Sequence, residues 1–188
     1  MNDNKFSLAH RILHWSLAIA ILFLLLTILL RMGWMNKNHM ADILKENLSE
    51  INIQISNDQA VVIAKKIRQP MWQWHIYTGY AIVVIYFLRG LLALFQGWLF
   101  TNPFERGLPL REKFQSWVYL IFYVLLGFSL ATGLLIEFGP ENLEHTAEEL
   151  HEKSMIYLVT YIILHFVGLL FAEISTDKGI VSKMIGGK

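Results

Sequence analysis

Four of the seven histidines in this 188-residue chain lie in or beside long apolar segments, where an ionisable side chain is costly. They are His14, His75, His151 and His165. Ionisable residues in a membrane usually face the interior of a helix bundle, where they find partners. Two imidazole rings that face each other across such a bundle can bind a porphyrin iron from both sides. Haem ligation is therefore a candidate chemistry for these residues.

The spacing of the four histidines predicts two pairs. His151 and His165 are 14 residues apart, so on one helix they lie within about 40° of the same face and roughly 21 Å apart along the axis. In an antiparallel bundle of four spans, His14 and His165 lie towards one side of the membrane. His75 and His151 lie towards the other side. We therefore expect His14 to pair with His165 and His75 to pair with His151.

The composition weighs against several other chemistries. The chain has no cysteine, which excludes disulfides, thiolate-bound iron–sulfur clusters and covalently attached haem. The interiors of the apolar segments contain no Asp or Glu, which argues against a di-iron carboxylate site and a carboxylate-based ion pump. A haem-free membrane anchor, or a transporter that uses its histidines for protons, remains an alternative. His10 lies one turn before His14, outside the apolar run, and ranks below it as a ligand.

The elements that position these histidines are predicted to form an all-α integral membrane protein, an antiparallel four-helix bundle. The chain is 55% hydrophobic and only 16% charged, and a span needs roughly 20 apolar residues. We predict one membrane domain over residues 1–188, with spans at about 12–31, 71–93, 114–136 and 152–172. Residues 32–70 are predicted to form an outer-face insert. It would contain a short helix from Asn57 to Arg68 that Ser56 caps and Pro70 ends.

The charge of the connecting segments predicts the orientation. Residues 137–150 carry five Glu and no Lys or Arg, which suits the outer face of the membrane. With four spans, both termini then lie in the cytoplasm. The net charge of +1 and the lack of a long basic tract give no sign of nucleic acid as a partner.

Four glycines lie near the histidines or in the third span. Gly79 follows His75 by four residues and Gly168 follows His165 by three. Each lies on the face of its histidine, where a missing side chain lets a flat macrocycle approach the backbone. Gly127 and Gly133 are expected instead to serve ordinary helix packing.

Several motifs resemble those of the bacterial four-helix di-haem cytochromes b. This family includes the cytochrome b-561 type and the b-type cytochrome subunits of nickel–iron hydrogenases. The matching segments are R-I-L-H-W at Arg11–Trp15, W-H-I-Y-T-G-Y at Trp74–Tyr80, H-E at His151–Glu152, L-H at Leu164–His165 and S-K-M-I-G-G-K at Ser182–Lys188. The resemblance implies two non-covalently bound haem b groups, held by His14, His75, His151 and His165. It also implies the bacterial inner membrane and electron exchange with quinone.

These observations predict a membrane di-haem b-type cytochrome that passes electrons between an outer-face donor or acceptor and the quinone pool. The expected partner is a periplasmic redox protein or a hydrogenase or reductase subunit. An alternative is a stand-alone, quinone-linked oxidoreductase that reacts with superoxide or a metal. In that case Lys65, Lys66 and Arg68 are candidates for a cationic funnel that steers an anion.

Overall fold

The computed structural model describes residues 6–97, 101–175 and 178–187. Within these ranges the chain is helical and contains no strand, so the all-α prediction is confirmed. The helices are α1 (Leu8–Met32), α2 (Lys37–Glu50), α3 (Asn57–Gln96), α4 (Leu110–Phe138), α5 (Glu141–Glu152), α6 (Ser154–Ser175) and α7 (Ile180–Gly186).

Four helical segments of the described chain are long and apolar enough to cross a membrane, which confirms the prediction of four spans. They are Leu8–Met32, Asn57–Gln96, Leu110–Phe138 and Glu141–Ile174. Large apolar side chains on these segments point away from the protein, among them Leu94 and Phe95. Exposure of such side chains to the hydrocarbon tails of lipids is favourable, whereas their exposure to water would be unfavourable. The antiparallel order of all four spans stays a prediction, as does the single domain.

Helix α3 begins where the sequence predicts but does not end at Pro70. Ser56 Oγ accepts a hydrogen bond from Gln59 N at 3.2 Å, and Gln59 Oε1 accepts one from Ser56 N at 2.9 Å. This reciprocal capping box fixes the first turn. The predicted stop at Pro70 is wrong, because the helix continues to Gln96. Proline removes one backbone hydrogen bond, but the apolar segment that follows must stay helical in lipid.

The insert between the first two spans contains a helix, α2, that the sequence analysis did not predict. The Oδ1 atom of Asn36 caps it by accepting from Asn38 N at 2.9 Å. Three alanines with no exposed surface, Ala41, Ala60 and Ala64, form the centre of a small core between α2 and the first turns of α3. Met40, Leu44, Ile55 and Val61 pack against these three alanines.

The fourth span, Glu141–Ile174, has a one-residue interruption at Lys153, between the end of α5 at Glu152 and the start of α6 at Ser154. Lys153 keeps right-handed helical backbone angles, with φ −65° and ψ −17°. His151 therefore lies in the last turn of α5, while His165 lies on α6. That the two histidines share one face of this span stays a prediction.

The chain divides into two compact units, residues 18–82 and residues 1–17 with 83–188. In the second unit α4 packs against α5 and α6. The Tyr157 hydroxyl donates to Leu125 O at 3.1 Å, and the rings of Tyr161 and Phe122 stack at 3.7 Å. The later residue of α6 thus contacts the earlier residue of α4, so these two helices run in opposite directions.

Candidate haem site

The rings of His14 and His165 lie next to each other in the unit formed by residues 1–17 and 83–188. Their centroids are 6.1 Å apart, and their planes are inclined by 43°. A bond from imidazole to a metal is about 2 Å long, so two rings on opposite sides of one metal ion have centroids about 6 Å apart. The observed separation fits two axial ligands of one haem iron.

Aromatic packing holds the His14 and His165 rings in place. The Trp15 ring meets His14 edge-on at 5.7 Å. Tyr161, one turn before His165, stacks on the His165 ring at 5.7 Å and itself stacks on Phe122. In the part of the chain that the structure describes, no ring nitrogen of His14 or His165 makes a hydrogen bond. Their orientation therefore comes from packing.

Hydrogen bonds to α4 hold His151. Its Nδ1 is 3.0 Å from Ser129 O and 3.1 Å from Thr132 Oγ1. A carbonyl oxygen can only accept, so Nδ1 carries the proton and Nε2 carries the lone pair. A metal-binding histidine typically has its second nitrogen fixed in this way.

Gly133 has a different role from the one expected. A Cβ at Gly133 would lie 3.1 Å from His151 Cε1, a closer approach than ordinary van der Waals contact. The absence of a side chain there makes room for the imidazole ring. Gly127 agrees with its expected packing role, since a Cβ there would lie 2.7 Å from the Tyr86 hydroxyl.

In the unit of residues 18–82, His75 has the same kind of partner. Its Nδ1 is 2.8 Å from Thr27 Oγ1, and the Thr27 hydroxyl donates to Leu24 O at 2.6 Å. Because Thr27 donates its single hydroxyl proton to Leu24 O, its oxygen can only accept from His75. The Nδ1 atom of His75 therefore carries the proton. Trp72 stacks on the ring at 4.6 Å with a 4° inclination. The pairing of His75 with His151 stays a prediction.

Two glycines leave open space beside the candidate ligands. A Cβ at Gly79 or Gly168 would meet no atom within 4 Å. These are the positions where the sequence predicts clearance for a macrocycle. The ring separation of His14 and His165, the protonated Nδ1 atoms of His75 and His151 and these glycines together fit haem.

The remaining histidines have other surroundings. The His10 ring is 91% buried, and its Nδ1 lies 2.9 Å from Ser7 Oγ. His39 lies on α2 and is exposed. His145 lies on α5, with 84% of its side chain exposed and Glu149 3.8 Å away. Within the described ranges, no group of three or more His, Asp or Glu residues is arranged to hold a metal ion.

The residues that the sequence analysis missed are those that support the ligands. Thr27 and Thr132 are 98% and 97% buried. Thr27 is a hydroxyl in an otherwise apolar segment, and Thr132 follows Ser129 in another apolar segment. A hydroxyl among apolar residues was the signal available in the sequence. Which histidine each would meet depends on tertiary packing, so spacing along the chain does not give it.

Comparison with known proteins gives one match. The family described as prokaryotic cytochrome b561 matches the chain over residues 5–187. The match therefore includes all four candidate ligands and every described residue. Neither the curated proteins nor the solved structures contain a match to the chain.

Proposed function

The chain belongs to the prokaryotic cytochrome b561 family, and we propose that it binds two haem b groups. Membership makes it a membrane b-type cytochrome that transfers electrons. The finer assignment gives one haem to His14 and His165 and the other to His75 and His151. The observation that carries it is the 6.1 Å separation of the His14 and His165 rings, which suits one iron between them.

The residues around each ligand supply what a haem iron requires. Ser129 and Thr132 hold the Nδ1 proton of His151, and Thr27 holds that of His75. Such hydrogen bonds to the nitrogen that does not bind the metal fix the ring and raise the basicity of the ligand. When bound, haem supplies reversible one-electron chemistry, and the protein tunes it by ligand, burial and nearby charge.

We further propose that the protein passes electrons between an outer-face partner and the quinone pool of the bacterial inner membrane. The Glu-rich residues 137–150 support an outer location for that segment, which places both termini in the cytoplasm. The partner would be a periplasmic redox protein or a hydrogenase or reductase subunit. For the stand-alone alternative, Arg68 is a poorer candidate than expected, because its Nη1 donates to Met35 O at 3.3 Å.

The test is a spectrum and a haem count on the full-length protein purified in detergent. We expect a b-type spectrum with two haems per chain. Addition of a quinol analogue without oxygen should reduce the haem. A protein without a Soret band, or with one haem per chain, would overturn the two-haem assignment. A haem that no quinol analogue reduces and no quinone reoxidises would overturn the link to quinone.

A further inference from the structure

Arg89 is a cation in the apolar part of α3 whose hydrogen-bond partner is neutral. Its Nε and Nη2 donate to the Tyr123 hydroxyl at 2.9 and 2.6 Å. Its Nη1 is shielded from solvent and has no hydrogen-bond partner in the described residues. The guanidinium therefore still has a donor that requires an acceptor.

None of the residues that the structure describes supplies a counter-ion for Arg89. Residues 71–96, which surround it in sequence, contain no Asp or Glu, and neither do residues 114–136 or 154–172. In the described part of the chain, Arg89 makes no ion pair. A buried charge without a counter-ion is strongly unfavourable, and in membranes such residues pair with an opposite charge. An anion from outside the chain is therefore expected at this position.

The position of Arg89 relates that anion to the His14 and His165 pair. The ring of Tyr123, whose hydroxyl accepts from Arg89, meets Phe122 at 5.7 Å, and Phe122 stacks on Tyr161 at 3.7 Å. Tyr161 in turn stacks on His165. All of these residues belong to one compact unit. Arg89 is thus connected through Tyr123, Phe122 and Tyr161 to the ring of His165.

Two other arginines of the same unit are placed differently. Arg11 also has a buried Nε without a partner, but its guanidinium lies against Gly187 and its Nη1 donates to Ile185 O at 3.0 Å. It therefore already anchors the C-terminal segment. Arg111 is exposed, with its Cζ 5.9 Å from the centre of the Phe171 ring. Neither has the unmatched terminal nitrogen that Arg89 has.

We propose that Arg89 donates from Nη1 to a propionate carboxylate of the haem at His14 and His165, with Tyr123 as the positioning residue. The inference rests on the proposed function, because it requires that haem. A guanidinium presents its donors in a rigid plane that suits a carboxylate. Its positive charge also favours the reduced iron over the oxidised iron. Arg89 is then a determinant of the potential of this haem.

The experiment is a spectroelectrochemical titration of full-length Arg89→Gln in a His75→Ala background, where only the haem at His14 and His165 should remain. We expect the equilibrium constant for reduction to fall at least tenfold, which is a decrease of about 59 mV for one electron. Arg89→Lys keeps the charge and should recover more than half of that decrease. Tyr123→Phe should lower the potential by a smaller amount.

Arg111→Gln is the matched control, because it removes an exposed arginine from the same unit and should leave the potential unchanged. An unchanged potential in Arg89→Gln, with its haem retained, would overturn the proposal. A loss of haem from Arg89→Gln that Arg89→Lys restores would support it, whereas a loss that Arg89→Lys shares would count against it. A His75→Ala parent that binds no haem would instead refute the proposed ligand set.

Discussion

The surroundings of His75 and His151 differ from those of His14 and His165. The first two rings each have an Nδ1 proton fixed by an oxygen atom, from Thr27 and from Ser129 with Thr132. The His14 and His165 rings are held by aromatic contacts. Arg89 joins the same aromatic cluster through Tyr123, which meets Phe122 beside Tyr161. The candidate ligands are thus oriented in two ways, one pair by hydrogen bonds and the other by packing.

This difference has an electrochemical consequence. A hydrogen bond from Nδ1 makes the imidazole a more basic ligand, which favours oxidised iron. A nearby cation favours reduced iron instead. We therefore expect the haem at His75 and His151 to have the lower potential and the haem at His14 and His165 to have the higher one. Electrons would then move downhill from the first pair to the second.

Removal of a ligand tests the comparison with the largest effect. We expect His75→Ala and His165→Ala each to lose one haem, about half of the haem in the protein, because each pair then lacks one axial ligand. The haem left in His165→Ala should be the lower-potential one, and the haem left in His75→Ala the higher-potential one. Haem quantification followed by a redox titration measures both.

The control for the ligand substitutions is His39→Ala, since His39 is exposed on α2. It should keep both haems and both potentials. If either ligand substitution removed all of the haem while circular dichroism showed the helices intact, the proposed ligand set would be wrong. If His165→Ala kept the higher-potential haem, the proposed order of potentials would be wrong.

The sequence predicted the features that depend on local chemistry. The four spans follow from apolar length, and the start of α3 follows from the Ser56 cap. The candidate ligands follow from histidines in apolar segments. The end of α3 was not predicted correctly, because lipid favours a continued helix beyond Pro70 more strongly than proline opposes it.

The supporting contacts of the site required the tertiary structure. Gly133 and Gly168 look alike in sequence, yet one makes room for a ring of the protein and the other borders open space. Arg89 was visible as a charge at the end of an apolar run. Its unmatched nitrogen became visible only when Tyr123 was placed beside it.

Glycine substitutions next to the candidate ligands also test the difference between the two histidine pairs. We expect their effect on haem content to be smaller than that of removing a ligand. In Gly133→Ala the new Cβ would approach His151 Cε1 to 3.1 Å, so the ring must shift and the lower-potential haem should be partly lost. In Gly168→Ala the new Cβ meets no atom of the described chain within 4 Å. Partial loss of the higher-potential haem would therefore indicate that the new methyl group clashes with the haem macrocycle. Haem quantification and redox titration again provide the measurement.

Gly90→Ala is the control for both glycine substitutions, because a Cβ there also meets no atom within 4 Å. We expect it to keep both haems, and its helix should be slightly stabilised. Full haem retention in Gly168→Ala would show that no macrocycle lies close to this backbone position. Full retention in Gly133→Ala would show that the His151 ring moves without consequence for binding.

Removal of a single hydroxyl should have the smallest effect. Thr27→Val deletes the acceptor of His75 Nδ1 and should lower the affinity of the lower-potential haem by roughly 10- to 100-fold. Losing one hydrogen bond is worth about 1 kcal/mol, so we expect the potential of that haem to rise by roughly 40 mV for one electron. Redox titration at saturating haem separates the potential from the affinity.

Thr132→Val should give a smaller rise than Thr27→Val, because His151 Nδ1 keeps its bond to Ser129 O. Thr160→Val is the control: Thr160 is exposed, and its hydroxyl donates only to Ile156 O in its own helix. The higher-potential haem should not respond to any of these substitutions. A fall in potential for Thr27→Val, or an equal shift of both haems, would show that hydrogen bonding does not distinguish the two regions. A rise confined to one haem, larger for Thr27 than for Thr132, would show that a threonine hydroxyl sets the basicity of the ligand it contacts.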